Sequence, residues 1–332
     1  MEPSRPPGIE PAGVSRGREA ATPRSVTADL RTTVGSVEPP NPVMTASGTA
    51  GHGAELAAYF DLASLGAVVV KSLKAEAWPG NAAPRVHEAT AGMLNSVGLQ
   101  GPGVEAWLED DLPALVAGGA RVVASIWGTS VAEYEKAAEL LADAPPEVVA
   151  VEVNLSCPNV EERRHVFAHS CRATSEAIAA TAGCNRPRWA KLSPNVTDIV
   201  EIATAARQAG AEAVTLINTV MGMAIDPVNR AYRLGSGENG GGLSGPAIHP
   251  VAVRAVHDVR AALPDLPIVG VGGVTNAETA VELILAGASA VQVGTATFAD
   301  PRAPLRVLHD LERWCRRHRV KKITDLIGAV HV

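Results

Sequence analysis

Short apolar runs recur along the chain, and most are followed by a stretch with the spacing of an amphipathic helix. The runs fall at residues 42–45, 67–72, 121–126, 148–154, 188–192, 213–218, 267–271 and 288–293. Most are β-branched and apolar almost throughout, the pattern of parallel strands buried on both faces. Residues 197–209 set Ile199, Ile202, Ala203 and Ala206 on one helical face, with Gly210 as the stop. Asn276 is placed to cap a helix that runs to Ala286 and ends at Gly287. This alternation predicts the α/β class, and eight units favour a closed (β/α)8 TIM barrel over an open doubly wound sheet.

Two connections are too long to be plain turns: residues 74–112 after the second run, and the glycine-rich 221–246 after the sixth. Both leave the C-terminal ends of strands, the face on which such a barrel builds its site, so they are expected to be functional insertions. Residues 1–24 hold Pro3, Pro6, Pro7, Pro11 and Pro23 and no apolar segment, which predicts a disordered leader and not a signal peptide. Residues 25–332 are expected to form one domain.

Composition narrows the function classes. Of 332 residues, 46% are hydrophobic and 19% charged, enough for one large core. A net charge of -6 without a long Lys/Arg run argues against a nucleic-acid partner. No apolar run reaches the ~18 residues of a membrane helix, so no membrane partner is expected. The cysteines Cys157, Cys171, Cys184 and Cys315 form no C-x-x-C pair, so no metal is assigned and a reduced, cytoplasmic setting is the simplest reading.

Chemistry concentrates at the strand ends. Gly272-Gly273 follows the seventh run and Gly294 the eighth. Glycine turns there let backbone N–H groups approach a phosphate, which FMN and a phosphorylated sugar would satisfy equally. Lys71 and Lys191 lie within or at the end of apolar strands, where an ammonium either snorkels to the rim or faces a ligand. Cys157 stands in Asn154-Leu155-Ser156-Cys157-Pro158-Asn159. Alone, that hexapeptide is equally a turn holding a small apolar residue or a thiol placed for chemistry, with two carboxamides able to grip a planar imide. Asn95 and Asn218 extend the polar set. Cys171, Cys184 and Cys315 sit on or near helical stretches and read as structural.

With these residues assembled, the chain resembles the class 1 dihydroorotate dehydrogenases over residues 41–301. The likeness rests on motifs in order: Asn41-Pro42 with Ala46-Ser47-Gly48; Gly80-Asn81 with Pro84-Arg85; Asn95-Ser96-Val97-Gly98-Leu99; residues 154–159; Lys191-Leu192-Ser193-Pro194; Ile217-Asn218-Thr219; Gly242-Leu243-Ser244-Gly245-Pro246; and the two glycine turns. The resemblance implies that Cys157 removes the C5 proton of dihydroorotate while the C6 hydride passes to FMN, giving orotate. Cysteine at that place, where class 2 enzymes have serine, supports class 1. Lys71 and Lys191 join Cys157 in the implied catalytic set. Lys71, Asn95, Gly98, Leu99, Asn154, Asn159, Asn218 and Thr219 are implied to hold the substrate. Ala46, Ser47, Lys71, Ser72, Lys191, Ile217, Ser244, Gly245, Gly272, Gly273, Gly294 and Thr295 are implied to hold FMN, with Lys191 stabilising the negative charge of the reduced ring.

Gly92-Met93-Leu94-Asn95, Leu99-Gln100 and residues 196–200 resemble the 1B subclass. That implies a partner subunit carrying FAD and a [2Fe–2S] cluster, electrons passed to NAD, and a homodimer or heterotetramer; fumarate is the alternative acceptor. Two features depart from the pattern. Ser125 stands where the family commonly has asparagine, and residues 161–171 are unusually charged, with Glu161, Glu162, Arg163, Arg164 and His165, where a glycine-rich loop is usual. They keep two alternatives in view: a dihydropyrimidine dehydrogenase-like subunit acting on uracil or thymine, and a flavin-binding paralogue without turnover.

Overall fold

The structure, a computed structural model, describes residues 28–156 and 167–331. Eight parallel strands form its centre: β1 (Val43–Thr45), β2 (Val68–Val69), β3 (Val122–Ile126), β4 (Val148–Asn154), β5 (Arg188–Lys191), β6 (Ala213–Leu216), β7 (Ile268–Val271) and β8 (Ala290–Val293). Each falls inside one of the apolar runs. Hydrogen-bonded order runs β1-β8-β7-β6-β5-β4-β3-β2. A parallel bridge between Met44 and Ala67 brings β1 beside β2, so the sheet nearly closes on itself as the expected (β/α)8 barrel.

The strands sort their side chains by parity. Met44, Val69, Val123, Ala150, Trp189, Ala213, Val269 and Ala290 form one buried cluster with Val34 and Val37, which fold back on each other in an antiparallel bridge. The alternate residues, such as Val43, Val122, Val151, Val153, Val214 and Ile268, join the larger core shared with the helices. Two residues beyond the inner cluster, the same faces carry Lys71, Glu152, Lys191, Thr215 and Gln292. The barrel interior is therefore oily at one end and polar towards the C-terminal end.

The helices follow their local signals. Ile199–Gln208 starts later than its apolar periodicity suggested, because the Asp198 carboxylate accepts from the N–H groups of Val200 and Glu201 and so fixes the cap. Ala277–Ala286 carries the expected Asn276 cap, closed reciprocally by Thr279. After β2, helical structure begins at Val104 and not at Leu112, since Gly103 (φ 95°) turns the chain at that point. Cys184 and Cys315 are buried as expected of structural cysteines, but Cys171 departs from that reading: it opens the helix Cys171–Ala180 and is exposed.

The two long connections fold together. Val86–Ala89, Gly92–Asn95, Gly241–Ser244 and Val220–Gly222 form one four-stranded sheet in that order, every pairing antiparallel. Asn95 faces Val86 on one side and Gly242 on the other. Chain segments that leave the barrel after β2 and after β6 thus meet above its mouth. No helix among the described residues is long and apolar enough to cross a membrane.

Candidate active site

A cavity of about 390 Å³ lies between the C-terminal ends of the strands and the four-stranded cover. That is a usual size for a pocket that holds a small molecule or cofactor. Cys157 and Asn159 lie outside the described residues. Every other residue expected to bind lines this cavity: Ala46, Ser47, Lys71, Ser72, Asn95, Gly98, Leu99, Asn154, Lys191, Ile217, Asn218, Thr219, Ser244, Gly245, Gly272, Gly273, Gly294 and Thr295. Ser156, the last described residue before Cys157, also lines it.

A hydrogen-bonded chain crosses the barrel mouth from strand to strand. Ser125 and Ser72 share a bond between their hydroxyls at 2.9 Å. Asn154 Nδ2 donates to Ser72 Oγ at 3.2 Å, and Asn218 Nδ2 donates to Asn154 Oδ1 at 3.1 Å. Asn154 Oδ1 also accepts from the Ser156 N–H, which fixes the first turn of backbone after β4. The Tyr134 hydroxyl donates to the Asn154 carbonyl at 2.7 Å from behind the strand. Each carboxamide is held in one orientation, as recognition of a ring with fixed donors and acceptors requires. Ser125 is thus absorbed into the network where the family pattern has asparagine.

On the cover side, Asn95 Nδ2 donates to the Gly242 carbonyl at 3.3 Å, so the cover's own pairing orients it. Asn195 holds Thr219 from outside: its Nδ2 donates to the Thr219 carbonyl and its Oδ1 accepts from the Met221 N–H. Sequence reasoning passed over Asn195, whose only signal was its place directly after the Lys191-Leu192-Ser193-Pro194 run. Gly98 has φ 72°, and a Cβ there would stand 2.5 Å from the Asn81 nitrogen.

The two cations differ in setting. Lys191 is almost wholly buried; its Nζ donates to Ser47 Oγ at 3.0 Å and stands 3.5 Å from a Glu152 carboxylate oxygen. Lys71 begins where its N–H donates to the Gly51 carbonyl. Nearby, burial and then the Lys71 charge hold the His52 imidazole below its ordinary range, which favours its neutral form.

At the opposite wall the chain turns at Gly272 (φ 138°) and Gly273 (φ 68°). A Cβ on Gly273 would lie 2.7 Å from His249 Cβ, so only glycine fits against the start of the helix His249–Ala262. His249 Nδ1 donates to the Gly272 carbonyl at 2.7 Å. The Thr295 hydroxyl donates to Ser244 Oγ at 2.8 Å, tying the turn after β8 to the cover. Two backbone turns, hydroxyls, an apolar wall of Ile217, Ile248 and Val271, and two ammonium groups make a donor set suited to a planar group with an anionic tail.

The family model described as "Dihydroorotate dehydrogenase" matches residues 29–314. A protein of Pelobacter propionicus named dihydroorotate dehydrogenase B (NAD(+)), catalytic subunit, is 45% identical over 91% of this chain and 98% of its own length. Proteins of the same name are 48% identical in Desulforudis audaxviator, over 88% of this chain and 94% of their own, and 46% identical in Alkaliphilus oremlandii, over 90% and 97%. These relatives favour neither a uracil- or thymine-directed subunit nor a paralogue without turnover.

Proposed function

This chain belongs to the dihydroorotate dehydrogenase family, and from that premise we propose that it oxidises (S)-dihydroorotate to orotate in pyrimidine biosynthesis, as the catalytic subunit of a class 1B enzyme. The observation that carries the reading is the convergence of Lys71, Asn154, Lys191 and Asn218 on one cavity closed by the Gly272-Gly273 and Gly294 turns.

Cys157 is the base in this reading. It follows Ser156, which lines the cavity, and its thiolate takes the proton from C5 of the substrate. Asn95, Asn154, Asn159, Asn218 and Thr219 hold the ring, with Gly98 and Leu99 closing over it and Lys71 offering its positive charge. FMN is the group we infer: when bound, it supplies the two-electron acceptor for the hydride that leaves C6, so that C5 and C6 end joined by a double bond. Ala46, Ser47, Ser72, Ile217, Ser244 and Gly245 would line its ring, and Gly272, Gly273, Gly294 and Thr295 would hold its phosphate. Lys191 would offer its ammonium to the negative charge that a bound ring gains on reduction.

NAD is the final acceptor in this reading, reached through a partner subunit carrying FAD and a [2Fe–2S] cluster; the "catalytic subunit" in the relatives' names supports a partner. A cytoplasmic setting and a homodimer or heterotetramer complete the proposal. The test is an anaerobic absorption spectrum of the purified chain. A flavin band that bleaches on adding dihydroorotate, and not on adding dihydrouracil, is the expected result. A chain that carries no flavin, or whose flavin stays oxidised with dihydroorotate, would overturn it.

A further inference from the structure

Glu152 is fully buried inside the barrel, one layer beneath the cavity, and the chemistry above does not use it. Its two carboxylate oxygens have different surroundings. Oε2 accepts from Gln292 Nε2 at 2.7 Å and from the Thr215 hydroxyl at 3.1 Å. Oε1 makes no hydrogen bond among the described residues and stands 3.5 Å from Lys191 Nζ. Amide and hydroxyl donors on one oxygen and a cation facing the other are the surroundings of an ionised carboxylate.

The ammonium is shared between two directions. At 3.5 Å the Lys191–Glu152 contact is longer than a charge-assisted hydrogen bond, while Ser47 Oγ draws Nζ upwards at 3.0 Å. An ammonium has three donors; Ser47 takes one and the Glu152 side draws on a second only at ion-pair distance, so Lys191 keeps donor capacity towards the cavity. A buried negative charge sits below Lys191 and the ligand site above it, in a region where water screens little.

We propose that Glu152 is a positioning residue: it holds the Lys191 ammonium from beneath, partly offsets its charge, and thereby sets how strongly the site favours a reduced, anionic ligand. This rests on the reading of the cavity as a flavin site. Removing the Glu152 charge should leave Lys191 more positive towards the cavity and make the bound flavin easier to reduce. Removing Lys191 should do the reverse.

The experiment is a redox titration of the bound flavin in the purified wild-type chain, Glu152→Gln, Glu152→Asp and Lys191→Gln. The midpoint should rise in Glu152→Gln, by about 30 mV for each tenfold gain in relative stability of the two-electron reduced form. It should fall in Lys191→Gln and stay near wild type in Glu152→Asp, which keeps the charge. A merely structural carboxylate would not give opposite signs at the two positions. An unchanged or lowered midpoint in Glu152→Gln overturns the proposal. If Glu152→Gln fails to fold, the double variant Glu152→Gln/Lys191→Gln decides: a buried charge left without its partner is the expected cause, so the double variant should fold and hold flavin. Failure of the double variant as well would also overturn the proposal. A wild-type chain without flavin would instead sink the flavin reading itself.

Discussion

Asn218 donates from Nδ2 to Asn154 Oδ1 at 3.1 Å, joining the residue just beyond β6 to the last residue of β4. Because Asn154 also donates to Ser72 Oγ and accepts from the Ser156 N–H, one side chain holds three strand ends in register. Asn154→Ala should therefore raise the KM for dihydroorotate by about 5- to 150-fold. Loss of a buried partner of this kind costs about 1–3 kcal/mol. Steady-state kinetics against dihydroorotate, with the flavin content measured alongside, checks this; an unchanged KM counts against the network.

Cys157→Ala should keep its flavin and lose flavin reduction by about 10²–10⁴-fold, the usual cost of removing one acid–base group. Rapid anaerobic mixing with dihydroorotate measures the rate directly. A variant as fast as the wild type would remove the cysteine from the mechanism.

Gly273→Ala should empty the site. The residue has φ 68°, and the added methyl would meet His249 Cβ at 2.7 Å. Left-handed backbone alone costs a non-glycine residue about 1–2 kcal/mol, before the clash is relieved. The flavin-to-protein absorbance ratio should drop at least tenfold, and the apo-protein should unfold at a lower temperature than the wild-type apo-protein, since the strain is carried by the fold itself.

Acid should weaken the fold through Glu133. Burial by itself would raise its carboxyl, but the Lys74 ammonium at 2.8 Å and the N–H and hydroxyl of Thr129 outweigh it, and the net shift is downward. A carboxyl lowered on folding contributes stability that is present above its unfolded value and lost as pH falls through the folded one. The urea midpoint should fall between about pH 6 and about pH 3, and that fall should be smaller in Glu133→Gln. Equal slopes in the two proteins would refute the assignment.

Thiol labelling should separate the described cysteines. Burial pushes Cys315 up to about 11 and raises Cys184, whereas Cys171 is exposed. Iodoacetamide near neutral pH should modify Cys171 at least tenfold faster than the other two, since the thiolate is the nucleophile. Denaturant should erase the difference. Peptide mass spectrometry reads each site separately.

The eight strands and most of the residues that line the candidate cavity were legible in the chain because each signal was local. A β-branched run, a glycine pair, a lysine closing an apolar strand and Asn276 before an apolar helix all announce themselves within a few residues. Glu152 was not legible in the same way. On a strand buried on both faces the inward and outward residues do not alternate in polarity, so one carboxylate among valines gives no sign of the side it faces. Its partners Thr215, Lys191 and Gln292 come from three other strands. The antiparallel cover was equally hidden. Residues 74–112 and 221–246 each read as loop, and only their meeting in space makes strands of Gly92–Asn95 and Gly241–Ser244.

That meeting ties the fates of two distant stretches of chain. Shortening either insertion would strip hydrogen-bond partners from the other, since Met93, Leu94 and Asn95 pair with Ser244, Leu243 and Gly242. Any engineering of the entrance has to treat residues 86–95 and 220–244 as a single graft, moved or redesigned together.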